Sequence, residues 1–220
     1  MNKREKIILS FDLDNTLINN REGIVGSFNY ALDKFNLSKL EKSEIESMIG
    51  TPLNEMFARV TNKDPSELSS AFREYYGTKG IYQAYLLPGI KSKLEELKKL
   101  SFTLGIITSK KQEMAERIIE ILKIEGYFDY IIGETEDRKE LGKLDPNLKI
   151  ILNKKYPGYK IIVIGDHPKD VMLSNNLNCP FIGVLTGHHS TKQLKKLKKG
   201  KFLAINSVRE LTLKKINLVL

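Results

Sequence analysis

The sequence predicts an α/β fold: a doubly wound parallel sheet with a small helical domain inserted after the first strand. Three observations carry this. Apolar runs of strand length alternate with segments of helical period, as in a parallel sheet covered on both faces. The first such run, Ile7 to Ile18, breaks off in two carboxylates, Asp12 and Asp14. Residues 17–85 then carry helical periodicity and no strand, where loops of such folds usually run about two to six residues. The domains are therefore expected at 1–16 with 86–220 for the sheet and 17–85 for the helical insert. The insert would lie over the carboxyl ends of the strands, where open sheets of this kind bind ligands.

The elements follow in order. IILSF (7–11) has the composition of a buried strand, and side chains two apart on a strand point the same way, so Asp12 and Asp14 leave its end on one side. Two such carboxylates repel unless something positive lies between them, and a divalent cation would relieve that cost. Helices are expected over 21–34, where Ile24, Phe28, Ala31, Leu32 and Phe35 recur at helical spacing, and over 41–49, 52–60 and 65–82. Pro52 and Pro65 suit first-turn positions, with Thr51 and Asp64 as caps. LLPGI (86–90) starts another helix. FTLGIITS (102–109) reads as the second strand, followed by a helix over 112–122 and a short strand around 130–132. The polar stretch to Lys143 reads as a loop, and Asp145 and Pro146 open a helix. KIIVIGD (160–166), a helix through DVMLSNNL, FIGVLTG (181–187) and a closing helix over 207–217 complete the chain.

The chain has 220 residues, enough for a large domain or a core with a small second one. No apolar stretch reaches the length that spans a bilayer, and the charged start followed by a run interrupted at Asp12 does not read as a signal peptide. Cys179 is the single cysteine, so neither an internal disulfide nor a cysteine metal cluster is expected. A cytoplasmic location is the expectation. The formal charge is +9, but six lysines fall within residues 192–201, around Leu194 and Leu197 at helical spacing. That segment reads as a solvated helix face. Without aromatics for base stacking it argues against nucleic acid.

Further polar residues end the other strands. Thr108 and Ser109 close the second, Asp166 closes the fourth with Asp170 four residues on, and Lys143 precedes the helix after the third. In a parallel sheet these ends gather on one edge, together with Asp12 and Asp14. Carboxylates, an ammonium and hydroxyls in that order suit phosphoryl transfer, where catalysis is mostly positioning and charge neutralisation. Any single member could be a helix cap; the ordered set is harder to explain so.

The order Asp12-Leu13-Asp14-Asn15-Thr16, Thr108-Ser109, Lys143 and Gly165-Asp166-x-x-x-Asp170 resembles the motifs of the haloacid dehalogenase superfamily of phosphohydrolases. IGTPLNEMF, LLPGI, YFDYIIGETED and FIGVLTG look like phosphoglycolate phosphatases and their close relatives. The resemblance implies Asp12 as nucleophile and Asp14 as acid/base. It implies Mg²⁺ held by Asp12, the backbone carbonyl of Asp14 and Asp166, with Asp170 orienting a water or Lys143 from behind. Thr108 and Lys143 would bind the transferring oxygens, with backbone N–H groups near Asn15 and Ser109. The substrate class implied is a small phosphorylated metabolite, phosphoglycolate first, met by a monomer or homodimer with no membrane partner. Arg21, Arg59 and Lys63 of the insert are candidates for a substrate carboxylate, though a surface role is favoured for each.

Two departures stand out. The third motif reads Lys143-Leu144-Asp145-Pro146 where Lys-Pro-x-Pro is common. His167 stands where a small residue is common; as a loop histidine it is expected to face solvent. His188 and His189 lack the partners of a zinc site. Alternatives on the same fold are a pyrophosphatase, a nucleotidase or a sugar phosphomutase. A dehalogenase is disfavoured because Asp14 would have no purpose. A phosphorylated receiver domain is disfavoured because its acceptor Asp lies on a later strand. A basic nucleic-acid-binding protein is the alternative from another class.

Overall fold

Five buried residues seed the sheet. In the computed structural model, which describes residues 6–135 and 142–220, β1 (Ile7–Phe11) is buried along its whole length. Such a strand must be covered on both faces, and it lies in the middle of six. After β2 (Ile18–Asn19) and β3 (Tyr85–Leu86), which pair with each other, the main sheet continues with β4 (Thr103–Lys111), β5 (Tyr130–Glu134), β6 (Lys160–Gly165), β7 (Phe181–Val184) and β8 (Phe202–Ile205). Its order is β5-β4-β1-β6-β7-β8, and all neighbours run parallel. The chain builds outward from β1 through β4 to β5, then returns to lay β6 on the other side of β1. That reversal is the topological switch point, the place where open α/β sheets form a crevice for ligands.

The chain divides into two compact units, Met1–Ile18 with Leu86–Leu220, and Asn19–Tyr85. The second holds α1 (Arg21–Lys34), α2 (Lys42–Met48), α3 (Leu53–Ala58) and α4 (Pro65–Thr78). Its core includes Phe28 and Phe57, both fully buried and stacked with centroids 4.1 Å apart. Asp64 Oδ1 accepts from Ser66 N at 2.9 Å, the expected cap before Pro65. Thr51 does not cap α3. Pro52 takes the capping position, without a side-chain hydrogen bond. The expected helix over 65–82 ends at Thr78, and a 3-10 turn covers Gly80–Gln83.

The sheet unit adds α5 (Ile90–Lys99), α6 (Gln112–Ile121), α7 (Asn147–Lys155), α8 (Pro168–Asn176), α9 (Thr191–Leu197) and α10 (Leu213–Val219). Three details depart from expectation. β8 emerges from the lysine-rich tail, whose charge hid four residues of strand. The closing helix is split into a 3-10 turn, Val208–Glu210, and α10, because Thr212 Oγ1 accepts from Lys215 N at 3.3 Å and starts a new helix there. In α9 Leu194 is fully buried, but Leu197 is 38% exposed, since the helix ends there. The middle of the expected polar loop, residues 136–141, lies outside the described residues. Among those described, no helix is long and apolar enough to cross a membrane.

One close approach ties three strands together. Ser10, Gly105 and Tyr130 stand side by side in register on β1, β4 and β5. The Tyr130 hydroxyl crosses Gly105 to meet Ser10 Oγ at 3.1 Å. A Cβ at Gly105 would lie 2.0 Å from the Tyr130 ring. Gly105→Ala should therefore cost about 1–3 kcal/mol and lower the melting temperature by several degrees. Gly126→Ala, with nothing within 4 Å of its added carbon, should leave it nearly unchanged; equal melting temperatures for both variants would contradict this packing.

Candidate active site

The switch point brings the strand-end carboxylates together. The Phe11↔Ile164 pairing and the bond from Asp12 N to Ile164 O, 2.8 Å, set the ends of β1 and β6 level. Asp12 follows β1 and Asp166 follows β6. Asp170 sits one turn into α8, where its Oδ2 accepts from His167 N at 3.0 Å. Asp170 is thus a helix cap and a member of the cluster at once. One oxygen from each of Asp12, Asp166 and Asp170 lies within 4.8 Å of the others, and all three residues are buried.

Lys143 reaches into this group from the 3-10 turn Gly142–Leu144. Its Nζ donates to Asp12 Oδ1 and to Asp170 Oδ1, each at 2.5 Å, with both partners almost without solvent contact. Asp145 Oδ1 accepts from Asn147 N at 2.8 Å and fixes the turn against the start of α7. Thr16 Oγ1 donates to Asp166 Oδ1 at 3.0 Å. The loop after β7 passes so close that a Cβ at Gly187 would stand 1.9 Å from Asp166 Oδ2.

Electrostatics follow from burial. Burial pushes the Asp12 carboxyl up to about 7, helped by Asp170 and Asp14 and opposed by Lys143. Burial also raises Asp166 well above its ordinary value, with Asp12 and Asp170 adding to it. Burial works to lower the Lys143 ammonium, but Asp12 and Asp170 beside it hold it above its ordinary value. Among these four groups, three carboxylates face one ammonium. The donor set is hard oxygen in a buried cradle, which fits a divalent cation such as Mg²⁺.

The other expected residues are placed as follows. Asp14 is partly buried, and its Oδ2 lies 3.2 Å from Lys110 Nζ. Thr108 is buried at the end of the apolar part of β4, and Ser109 beside it is half-buried. Asn15 adopts a left-handed conformation, φ 57°. Its N–H donates to Ile18 O at 2.9 Å and its carbonyl accepts from Thr186 Oγ1, so this donor already has a partner within the turn. In the helical unit Arg21 is half-buried, while Arg59 and Lys63 are exposed.

His167 corrects an expectation. It is half-buried rather than solvent-facing, because its Nδ1 accepts from Lys169 N at 3.1 Å to cap α8. Its ring packs edge-on against His189 at 4.8 Å. Burial lowers it to about 4. Lys110 was not singled out in the sequence. The signal available was a second cation directly behind Thr108-Ser109, at the same strand end.

Residues 8–184 match the family described as haloacid dehalogenase-like hydrolase, and the protein belongs to that family of hydrolases. Its relatives include phosphatases of more than one kind. It is 29% identical over 184 residues to the pyrophosphatase PpaX of Bacillus velezensis, covering 83% of this chain and 84% of the relative. It is 26% identical over 206 residues to a phosphoglycolate phosphatase of Mannheimia succiniciproducens, covering 86% and 89%. In structure it resembles a haloacid dehalogenase-like family hydrolase from Streptococcus pneumoniae, with TM-score 0.81, 28% identity and coverage of 90% and 93%.

The raised Asp12 carboxyl has a consequence for stability. The folded chain holds this proton up to about pH 7, the unfolded chain only to its ordinary 3.8. Between those values the folded state binds more protons, so stability falls as pH rises, by at most about 1.4 kcal/mol per unit for this group. Metal-free protein should melt at a lower temperature at pH 8 than at pH 5, and Asp12→Asn should flatten that slope. An unchanged slope in the variant would assign it to other groups.

Proposed function

We propose that the protein is a Mg²⁺-dependent phosphatase that hydrolyses a small organic phosphate ester through an aspartyl phosphate on Asp12. The observation that carries this is the Lys143 ammonium shared between Asp12 and Asp170 at 2.5 Å, with Asp166 alongside. Asp12, Asp166 and the backbone carbonyl of Asp14 would hold the ion, with Asp170 behind them. When bound, Mg²⁺ neutralises the charge that otherwise repels a phosphate dianion from Asp12.

The chain's own groups supply the rest. An Asp12 carboxylate oxygen forms a bond to phosphorus as the bond to the ester oxygen breaks. Asp14 gives its proton to the leaving oxygen. It then takes one from the water that cleaves the aspartyl phosphate, which releases inorganic phosphate and restores Asp12. Lys143 and Thr108 hold the transferring oxygens, with Ser109 beside them. The inserted unit, Asn19–Tyr85, serves in this reading as the cap that selects a small substrate.

The relatives named phosphoglycolate phosphatase favour phosphoglycolate as the ester. Those named pyrophosphatase give a second reading, in which inorganic pyrophosphate is the phosphoryl donor.

Asp12→Asn should abolish phosphate release while leaving the circular dichroism spectrum intact; near-normal turnover would defeat the assignment. Lys143→Met should lower kcat by about 100- to 1,000-fold. Chelator should stop the reaction, and Mg²⁺ should raise the melting temperature at pH 8. Full activity in chelator with no thermal shift would remove the metal from this scheme.

A further inference from the structure

We infer that Lys110 sets substrate specificity by binding a negative charge on the leaving group, either a carboxylate or a second phosphate. The inference rests on the roles proposed above for Asp12 and Asp14, and it deepens them by assigning the other end of the substrate.

Lys110 is held in place by a local irregularity of the sheet. Pairing of β4 with β5 runs regularly to Ile107↔Ile132, then shifts to Lys111↔Glu134, so extra residues are accommodated in β4 between them. Bulges of this kind re-aim side chains and are common beside active sites. Gln112 fastens the irregularity: its Nε2 donates to Ile131 O at 3.1 Å and its Oε1 accepts from Gly133 N at 2.6 Å. A Cβ at position 133 would stand 2.7 Å from Lys110 O, so only glycine lets the bulged segment lie this close. Lys110 N donates to Thr108 Oγ1 at 3.2 Å. The side chain that emerges is 11% exposed, with Nζ 3.2 Å from Asp14 Oδ2.

That position is on the leaving-group side. Lys143 serves Asp12 and Asp170, and with Thr108 it accounts for the transferring oxygens. Asp14, as acid, must come within about 2.6–3.2 Å of the ester oxygen. Lys110 touches the same carboxylate, so its ammonium stands within about 6–9 Å of that oxygen, whichever carboxylate oxygen carries the proton. In phosphoglycolate the carboxylate carbon is two bonds from the ester oxygen, and in pyrophosphate the second phosphorus is one bond away. An ammonium largely removed from water attracts such an anion far more strongly than an exposed one. A neutral leaving alcohol offers it nothing.

The test compares kcat/KM for three phosphoryl donors: phosphoglycolate, inorganic pyrophosphate and ethyl phosphate, whose leaving group is small and neutral. Lys110→Met should reduce the preference for one anionic substrate over ethyl phosphate by about 10- to 100-fold, the range of a lost charge-assisted hydrogen bond. The loss should fall chiefly in KM, and Lys110→Arg should keep most of the preference. The substrate whose advantage collapses identifies carboxylate or phosphate as the group bound. If Lys110→Met does not fold, Lys110→Gln carries the same comparison. A preference that survives, even with both activities lowered together, would overturn the inference and leave Lys110 as a support for Asp14 alone. Wild-type protein inert on all three donors would instead overturn the phosphatase reading and this inference with it.

Discussion

Lys143 stands between two aspartates whose burial would otherwise be untenable. A carboxylate taken out of water costs several kcal/mol even after relaxation. Asp12 and Asp170 are both in that position, with Asp166 a few ångströms away. The shared ammonium, 2.5 Å from each partner, offsets part of this cost, and the three carboxylates outnumber it. That excess separates the cluster from an ordinary buried ion pair. It is a donor set that could hold a divalent cation.

The rest of the sheet unit can be understood as what holds this charge arrangement still. The parallel sheet sets the ends of β1 and β6 level at the switch point, so Asp12 and Asp166 converge without long side-chain reach. α8 presents Asp170 rigidly because the same carboxylate caps the helix at His167 N. The turn that carries Lys143 is anchored by Asp145 to the first residue of α7. Thr16 fixes Asp166 from the other side. Each carboxylate therefore has at least one hydrogen bond that orients it before any ligand arrives, which is the preorganisation that electrostatic catalysis requires.

Much of this was legible in the sequence because buried parallel strands write themselves as apolar runs and their ends as sudden polarity. IILSF followed by Asp12, and KIIVIG followed by Asp166, show both signals without interference. β8 was not legible, since FLAI is four residues long and follows a lysine run that reads as solvent-facing. The occupation of the Asn15 N–H was not legible either. It depends on a left-handed residue closing a turn onto Ile18, a backbone event with no side-chain pattern. His167 misled for a related reason: a loop histidine next to a proline gives no hint that its ring nitrogen will accept from Lys169 N and draw it out of solvent. Lys110 was hidden by abundance, as one lysine among many in a chain of net charge +9.

The similarity to relatives with different activities has a physical counterpart. The chain is about as close to a pyrophosphatase, at 29% identity, as to a phosphoglycolate phosphatase, at 26%. Both reactions move a phosphoryl group, and the groups that neutralise its oxygens need not differ between them. What differs is the fragment that departs, and the interactions made with it. Identity summed over a whole chain weighs every position alike, whereas specificity can turn on a few of them. In the reading proposed above, Lys110 on the bulged end of β4, beside Asp14, would meet that fragment. Specificity in such a site is a difference in affinity created by one or two charges. It can change while the fold, the acidic cluster and the Lys143 bridge stay as they are.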